Sequence, residues 1–581
     1  MRILLLVHSF NSLAQRIFVE LGRDGHELSV ELDIHDRVTE EAAALFRPSL
    51  ILAPFLKRAI PATIWKRHVC LVVHPGPPGD RGPSALDWAI LRGVSHWGVT
   101  VLQAGAEMDA GAVWASSQFP MRVATKSSLY RHEVTNGAVR AVREAIARIV
   151  AGAPPQIIDN ATYDQELRGW RPTMKQADRA IDWTRDDSAT VLRKIHSADG
   201  FPGIEDVLFG QRFRMFDAGP AARIDGQPGM VIAACDGAIC RATTDGAVWI
   251  GQLQPLESAQ RGFKRPSVLA LGALAERLPK IGKDPAEDGL LQSRQVGSGE
   301  IRYEESGPVG YLHFGLYNGA LSTPQCDRLR AAYARARNRP TRVIVLMGGP
   351  DFWCNGMHLH AIEAADSPAD ASWTNINSID DLARDILTTD SHLTVAALQG
   401  NAAAGGVFLA LTADRVMARS TVVLNPHYRN MGNLYGSEYW TYLLPRRVGA
   451  EQARDIMASR LPVGAAEALA LGLIDDVAGP DAAEFLAFVE SGARGMADDG
   501  IFQEALRDKR IRRSRDEQLR ELASYRADEL ERMRLNFFGF DPSYHIARHR
   551  FVHHAPLAWT PLHLARHRRV GFAARAEASL E

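Results

Sequence analysis

A chain of 581 residues, 46% hydrophobic and 23% charged, has ordinary globular composition, which excludes wholesale disorder. At ~100–200 residues per domain it should hold three or four domains, each large enough for its own core. Its net charge of -1 supplies no basic excess for neutralising phosphates, so no nucleic-acid partner is expected.

Strand and helix signals alternate through the first 150 residues. Ile3–Val7 reads as a buried strand, Ser12–Leu21 as an amphipathic helix ending at Gly22, and Leu28–Leu32 as a strand. Leu50–Ala53 and Val69–Val73 are further strand runs, each leading into a proline-bearing loop. Gly98–Leu102 and Ala112–Ala115 follow as strands, and Leu129–Ala151 as a long helical segment. Strands separated by helices predict a parallel, helix-covered sheet, whose ligands sit at the strands' carboxyl ends. A helix over Ser188–Ala198 and a Phe201-Pro202-Gly203 turn lead into short Gly- and Asp-punctuated strands. These are Arg212–Phe216, Met230–Ala234, Ala238–Thr243 and Ala247–Ile250, the pattern of a small β-barrel or sandwich. After a Gly/Pro/Ser-rich stretch a second α/β unit begins. Its strands are Val309–Phe314, Val343–Met347 and Thr394–Leu398, and its helices Asp327–Arg337, Ile379–Leu387 and Ala403–Thr412. Beyond residue 500 the chain reads as helical and rich in Arg and His.

The cysteines at 70, 235, 240, 326 and 354 are odd in number and scattered, without zinc-ribbon spacing. That pattern predicts free thiols in the cytoplasm. MRILLLV runs into His8 and Ser9, too soon for a cleaved signal peptide. No run reaches the ~18 apolar residues of a membrane span.

Two constellations carry chemistry. The first is His74-Pro75-Gly76-Pro77-Pro78-Gly79-Asp80-Arg81-Gly82-Pro83, a rigid loop placing an imidazole at a sheet end, followed later by Asp109-Ala110-Gly111. A histidine and a carboxylate from neighbouring strand ends can work as a general acid/base pair. The second couples Phe352-Trp353-Cys354-Asn355-Gly356-Met357-His358 with Gln399-Gly400-Asn401-Ala402-Ala403-Ala404-Gly405-Gly406. Small residues at a helix start bring backbone N–H groups close to a ligand, where they can stabilise a carbonyl oxygen gaining charge.

The HP loop, RGPSAL, GVTVLQAGAEMDAGAV and the segment at 171–203 together resemble the formyltetrahydrofolate-dependent formyltransferase family over about residues 1–270. That resemblance implies His74 as the acid/base and Asp109 as the carboxylate orienting it. Phe55, Leu56 and Lys57, in the loop from Pro54, would bind 10-formyltetrahydrofolate. The family's Asn two residues before the His is Val72 here, which removes an oxyanion donor; Asn11 and Ser9 are the available substitutes.

LHFGLYNGALST, LMGGPDFWCNGMHL, LQGNAAAGGVFLALTADRVMA and the helical segment to LGLID resemble the crotonase (enoyl-CoA hydratase/isomerase) family over about 305–480. The resemblance implies an oxyanion hole from the N–H groups of Met357 and Gly405. Coenzyme A would lie near Asn318, Ala320, Gly356 and His358. The hydratases' two glutamates are absent: those positions hold Phe408 and, at or near the second, His427. Tyr428 and Glu438 are the acid/base candidates in their place.

The combination is similar to the HypX (HoxX) family of hydrogenase maturation factors. This implies a bifunctional enzyme, a formyltransferase and formyl-CoA decarbonylase. It would pass the formyl group of 10-formyltetrahydrofolate to CoA and release carbon monoxide from formyl-CoA for [NiFe] hydrogenase. Other maturation proteins or an apo-hydrogenase would be partners. The alternatives are a formyltransferase onto an amine with a degenerate crotonase domain, and a non-catalytic maturation scaffold. The expected architecture is α/β multidomain: a Rossmann-like formyltransferase domain (1–170), a connector with a small β-barrel (171–277), a linker (278–299), a crotonase-like domain (300–500) and a helical C-terminal region (501–581). His549, His553 and His554 have helical spacing in that last region, but no neighbouring carboxylate in the sequence accompanies them, so no metal is expected. Its basic residues predict docking onto the neighbouring domain, or contact with anionic ligands.

Overall fold

The computed structural model describes residues 1–156, 169–221, 224, 226–256, 262–281 and 299–569. The expected linker falls largely on 282–298, outside the described residues. The chain divides into two compact units. The first comprises Met1–Val207, Phe213–Ala218 and the part of Pro556–Glu581 that is described; the second is Leu208–Arg212 with Gly219–Ala555.

The first unit is built on a six-stranded sheet in the order Glu27–Leu32, Arg2–Val7, Leu50–Phe55, Cys70–His74, His96–Gln103, Val113–Pro120. The aliphatic run Ile3–Val7 is wholly buried at its centre, as expected for a strand covered on both faces. Only the first four strands in that order run parallel. The all-parallel expectation is therefore corrected at one edge. His96–Gln103 pairs antiparallel with Cys70–His74, and Val113–Pro120 antiparallel with His96–Gln103. For the second of these pairings the physical reason is the short 104–112 connection, which can close a hairpin but is too brief for a parallel crossover. Helix Ser12–Arg23 is capped by Asn11, whose side chain accepts from Ala14 N. The opposite edge strand, Glu27–Leu32, is covered by residues 560–568. Leu32 N donates to Thr560 and Val30 N to the Leu564 carbonyl. The fully buried Glu31 carboxylate accepts from His567, Thr560 and Arg568.

Residues 204–266 form an antiparallel sheet in the order Val231–Cys235, Ala238–Ala242, Ala247–Pro255, Gln211–Pro220, Ile204–Leu208, with Arg265–Pro266 added beside Ala247–Pro255. The strands lie where the Gly/Asp punctuation put them. The expected barrel does not close: among the described residues the pairing path has two ends, because strands this few and short leave Val231–Cys235 and Ile204–Leu208 as edges.

The second unit centres on a sheet in the order Ile301–Ser306, Val309–Phe314, Val343–Gly348, Leu393–Leu398, Arg415–Arg419, Asp476–Ala478. It is parallel except for the opening hairpin. A smaller sheet joins Phe352–Cys354, Asn401–Ala403, Val423–Asn425 and Val463–Gly464. Helices Asp499–Leu519, Leu522–Phe538 and Ser543–Val552 pack on this unit. Four of their basic residues are spent on local carboxylates: Lys509 on Asp414, Arg513 on Glu517, Arg526 on Asp381 and Arg548 on Glu363. No described helix is long and apolar enough to cross a membrane, and all five thiols are free and buried.

Candidate functional sites

His74 ends the strand Cys70–His74 and is 4% exposed. Its Nε2 lies 2.8 Å from Asp80 Oδ2, and its Nδ1 lies 3.5 Å from Asp109 Oδ2. The first is a hydrogen bond; the second is longer than one. Asp80 is held in turn by Arg171 Nε on its other oxygen. A hydrogen on Nε2 serves the Asp80 carboxylate and leaves Nδ1 facing Asp109. Asp109 itself has φ +53° and accepts from Gly82 N at 3.0 Å. The loop needs its glycines. A Cβ on Gly76 would stand 2.3 Å from Asp80 Oδ2 and 2.6 Å from His74 Nε2, and one on Gly82 would strike the Arg171 carbonyl.

Sequence reading paired His74 with Asp109 and passed over Asp80 and Arg171. Asp80 sits inside the quoted loop; Arg171 is ninety-one residues further on and carries no local signal. Phe55 closes the strand neighbouring His74's, so Pro54 and Phe55 belong to strand rather than loop. The Phe55 ring lies edge-on to Tyr130 and His8, at 6.2 and 6.1 Å. Leu56 is half-buried, and Lys57 stands over the Phe201 ring at 5.5 Å. Burial, then the Lys57 charge, lower the His8 pKa. Of the proposed substitutes for the missing amide donor, Asn11 has its oxygen committed to the helix cap.

In the second unit, Ala320–Leu321 and Gly356–Met357 pair in parallel, Ala320 opposite Gly356 and Leu321 opposite Met357. Asn318, at φ +54°, presents its carbonyl to Asn355 Nδ2 at 2.7 Å. The residues expected near CoA are thus drawn into one strip of backbone. His358 is the exception in character: its buried Nδ1 caps helix Leu359–Glu363, and burial drops its pKa to about 4. A Cβ on Gly356 would lie 3.4 Å from Gly405 N, so the Met357 and Gly405 loops are adjacent. Gly405 opens the helix Gly405–Leu411, and a Cβ on Gly406 would strike the Cys354 carbonyl at 2.0 Å.

Tyr428 and Glu438 come together. Tyr428 Oη donates to Glu438 Oε2 at 2.6 Å and also reaches the Ser437 carbonyl at 2.8 Å. The Glu438 carboxylate lies against Gly405, where any side chain would displace it. Phe408, in place of the first hydratase glutamate, is fully buried and stacks on Tyr428 with centroids 5.3 Å apart. It is a wall beneath the tyrosine, not a water-handling group. His427 is buried beside it, while Arg429 is exposed. Two further carboxylates, missed in the sequence, hold the same turn. Asp380 accepts from Glu438 N and Ser437 Oγ, both at 2.8 Å. Glu529 accepts from Tyr439 N and Thr441 N at 2.9 and 2.8 Å. Burial, then the Asp380 charge, push the Glu438 carboxyl well above the usual range.

The statement that no carboxylate accompanies the C-terminal histidines is corrected. Glu363, from another helix, puts Oε1 2.8 Å from His549 Nδ1 and 3.3 Å from His553 Nε2, and the three side chains converge closely enough to surround a cation. Sequence spacing could not find Glu363 because it is supplied by the fold. Its second oxygen is already paired with Arg548 at 2.7 Å, so the cluster is charge-compensated as it stands and also serves to dock helix Ser543–Val552.

Comparison with known proteins covers both halves. Residues 173–261 match the formyl transferase C-terminal domain family, and residues 316–530 match the enoyl-CoA hydratase/isomerase family. A methionyl-tRNA formyltransferase of Dechloromonas aromatica is 28% identical over 189 residues, covering 32% of this chain and 59% of that protein. The hydrogenase maturation factor HoxX of Bradyrhizobium diazoefficiens is 55% identical over 569 residues, covering 98% of this chain and 97% of that one. The crystal structure of HypX from Aquifex aeolicus in complex with tetrahydrofolic acid superimposes with a TM-score of 0.93 at 48% identity, covering 98% of this chain and 99% of that one. The chain therefore belongs to the HoxX/HypX family of hydrogenase maturation factors.

Proposed function

We propose that this protein makes carbon monoxide for hydrogenase maturation in two steps, as a formyltransferase and a formyl-CoA decarbonylase. In the first, the thiol of CoA attacks the formyl carbon of 10-formyltetrahydrofolate. The C–N bond breaks, a C–S bond forms, and the thiol proton ends on the folate nitrogen. His74 carries that proton through Nδ1, held in one tautomer by Asp80, with Asp109 alongside. Phe55, Leu56 and Lys57, at the neighbouring strand end, would bind the folate. Binding of tetrahydrofolate by the Aquifex protein supports the same ligand here.

In the second step, formyl-CoA loses its formyl proton and its C–S bond, and the sulfur takes up a proton. Atoms and electrons balance without a redox partner. The Met357 and Gly405 N–H groups would polarise the formyl oxygen. CoA would run along Asn318, Ala320, Gly356 and His358. Tyr428 and Glu438 would pass the proton from carbon to sulfur.

The observation that carries this reading is the Tyr428–Glu438 hydrogen bond seated on Gly405. It supplies a proton-transferring pair where hydratases keep water-handling glutamates, and Phe408 occupies the vacated position. The test is accumulation of the intermediate. Given 10-formyltetrahydrofolate and CoA, Glu438→Gln should build up formyl-CoA. Formation of formate or a formylated amine, with no thioester, would refute the scheme.

A further inference from the structure

Three carboxyl groups lie under one turn of the second unit. Asp380, Glu438 and Glu529 are each no more than 1% exposed, as is Ser437 between them. They come from helix Pro368–Leu387, from the loop before helix Trp440–Val448, and from helix Leu522–Phe538. Burying three carboxyls around one point is costly unless they are bonded or protonated. Asp380 and Glu529 are richly bonded, and their donors are the backbone of the turn. Asp380 takes Glu438 N; Glu529 takes Tyr439 N and Thr441 N and the Thr441 hydroxyl. The turn they grip is strained, because Glu438 and Tyr439 have φ of +60° and +61° in succession. Side chains other than glycine, Asn and Asp seldom adopt that region, and such strain persists only where surroundings over-determine it.

We infer that Asp380 and Glu529 are positioning residues of the second site: they hold the Glu438–Tyr439 backbone left-handed, which seats the Glu438 carboxyl on Gly405, and Asp380, buried beside it, adds to the burial that disfavours a charge on Glu438. The inference rests on the proton-carrying role proposed for Glu438 and names what sets its resting state. The groups facing Glu438 are the Tyr428 hydroxyl, the two carboxyls, and the thiols of Cys326 and Cys354. Arg526 puts its Nε 3.6 Å from Asp380 Oδ2 and its Nη1 2.7 Å from Asp381 Oδ1. That guanidinium, shared with Asp381, still favours the ionised form of Asp380. Burial raises Asp380 to about 6 and Glu529 to about 8, so Asp380 is the first of the three to ionise. Among the described residues no cation is paired with Glu438, which favours its holding the proton. A protonated Glu438 accepts from Tyr428 and still has a hydrogen to give toward sulfur.

Asp380→Asn is the cleanest probe. Its amide oxygen can still accept from Glu438 N while its NH2 donates to Ser437 Oγ, so the charge goes and the grip stays. Infrared difference spectra of the full chain should show a protonated-carboxyl band at pH 7 that Glu438→Gln removes. In Asp380→Asn the titration midpoint of that band should move down by about one pH unit. In Glu529→Gln, where an NH2 group would face backbone N–H donors, the band should broaden and shift. There kcat for carbon monoxide from supplied formyl-CoA should fall more than tenfold with KM little changed. A wild-type chain with no Glu438-dependent band would overturn the inference. So would a midpoint unmoved in a folded Asp380→Asn. Should Asp380→Asn fail to fold, an unaltered band in Glu529→Gln would overturn it instead. Full carbon monoxide release by Glu438→Gln would overturn the proposed function and leave the band result standing, so the two failures are distinguishable.

Discussion

The Glu438 carboxylate occupies the space that any side chain on residue 405 would need: a Cβ there would stand 2.0 Å from Oε1. In the proposed mechanism Gly405 therefore has two jobs, an N–H for the formyl oxygen and a bare face that admits the acid. Gly405→Ala should push Glu438 off its seat. Misplacement by an ångström can cost ~100-fold in rate, so carbon monoxide release from formyl-CoA should fall about that much. Consumption of 10-formyltetrahydrofolate should be spared. An alanine variant with normal release would show that the contact is only packing.

His74 and Glu438 belong to different units, which makes their losses separable. His74→Ala should abolish carbon monoxide from 10-formyltetrahydrofolate yet leave release from supplied formyl-CoA intact. Glu438→Gln should block both routes. If His74→Ala stopped both, the histidine would be holding the fold rather than carrying the first step.

Asp80 and Arg171 form a buried pair in the first unit, with side chains 0% and 7% exposed. Removing one partner of such a pair typically costs ~3–5 kcal/mol, because a buried charge loses its compensation. Asp80→Ala should destabilise the first unit by about that much and release the His74 ring. Asp109→Ala, on the more accessible side, should lower formyl transfer without a comparable loss of melting temperature. Calorimetry beside a folate-turnover assay reads both effects.

From Glu529 and His358 together, stability of the second unit should stay level between about pH 4.5 and 6.5, where the two slopes cancel, and fall above that. Burial raises the folded Glu529 pKa from 4.5 to about 8. Its contribution is therefore full below about pH 4.5 and is lost as pH climbs to 8. Burial lowers His358 from 6.5 to about 4, so that contribution grows from pH 4 to 6.5 and then levels. Above pH 6.5 only the carboxyl effect remains. It should cost roughly 2 kcal/mol between pH 6.5 and 8, seen as a falling melting temperature. Glu529→Gln should flatten that alkaline limb.

The sequence made the elements legible where burial imposes a period. Ile3–Val7, Val309–Phe314 and Ser188–Ala198 stand within a residue of their expected limits. Missing from that reading were contacts that only the fold creates. Arg171 reaches Asp80, Glu363 reaches His549 and His553, and Glu529 reaches Tyr439 across ninety residues. Arg171 and Glu363 are isolated charges and Glu529 lies in a charged helical run; in a sequence both look like solvated surface. The antiparallel edge of the first sheet was missed for a related reason. Strand signals report burial and do not report direction, which for the last pair of strands was set by the nine residues of the 104–112 connection.

The central claim, that both units serve one pathway, is tested most directly by carbon monoxide release from the purified protein. It would be read as haemoglobin absorbance after adding 10-formyltetrahydrofolate, with and without CoA. The account predicts release that depends on CoA and is lost in both His74→Ala and Glu438→Gln. Folate turnover without carbon monoxide, ending in formate or a formylated amine, would contradict it.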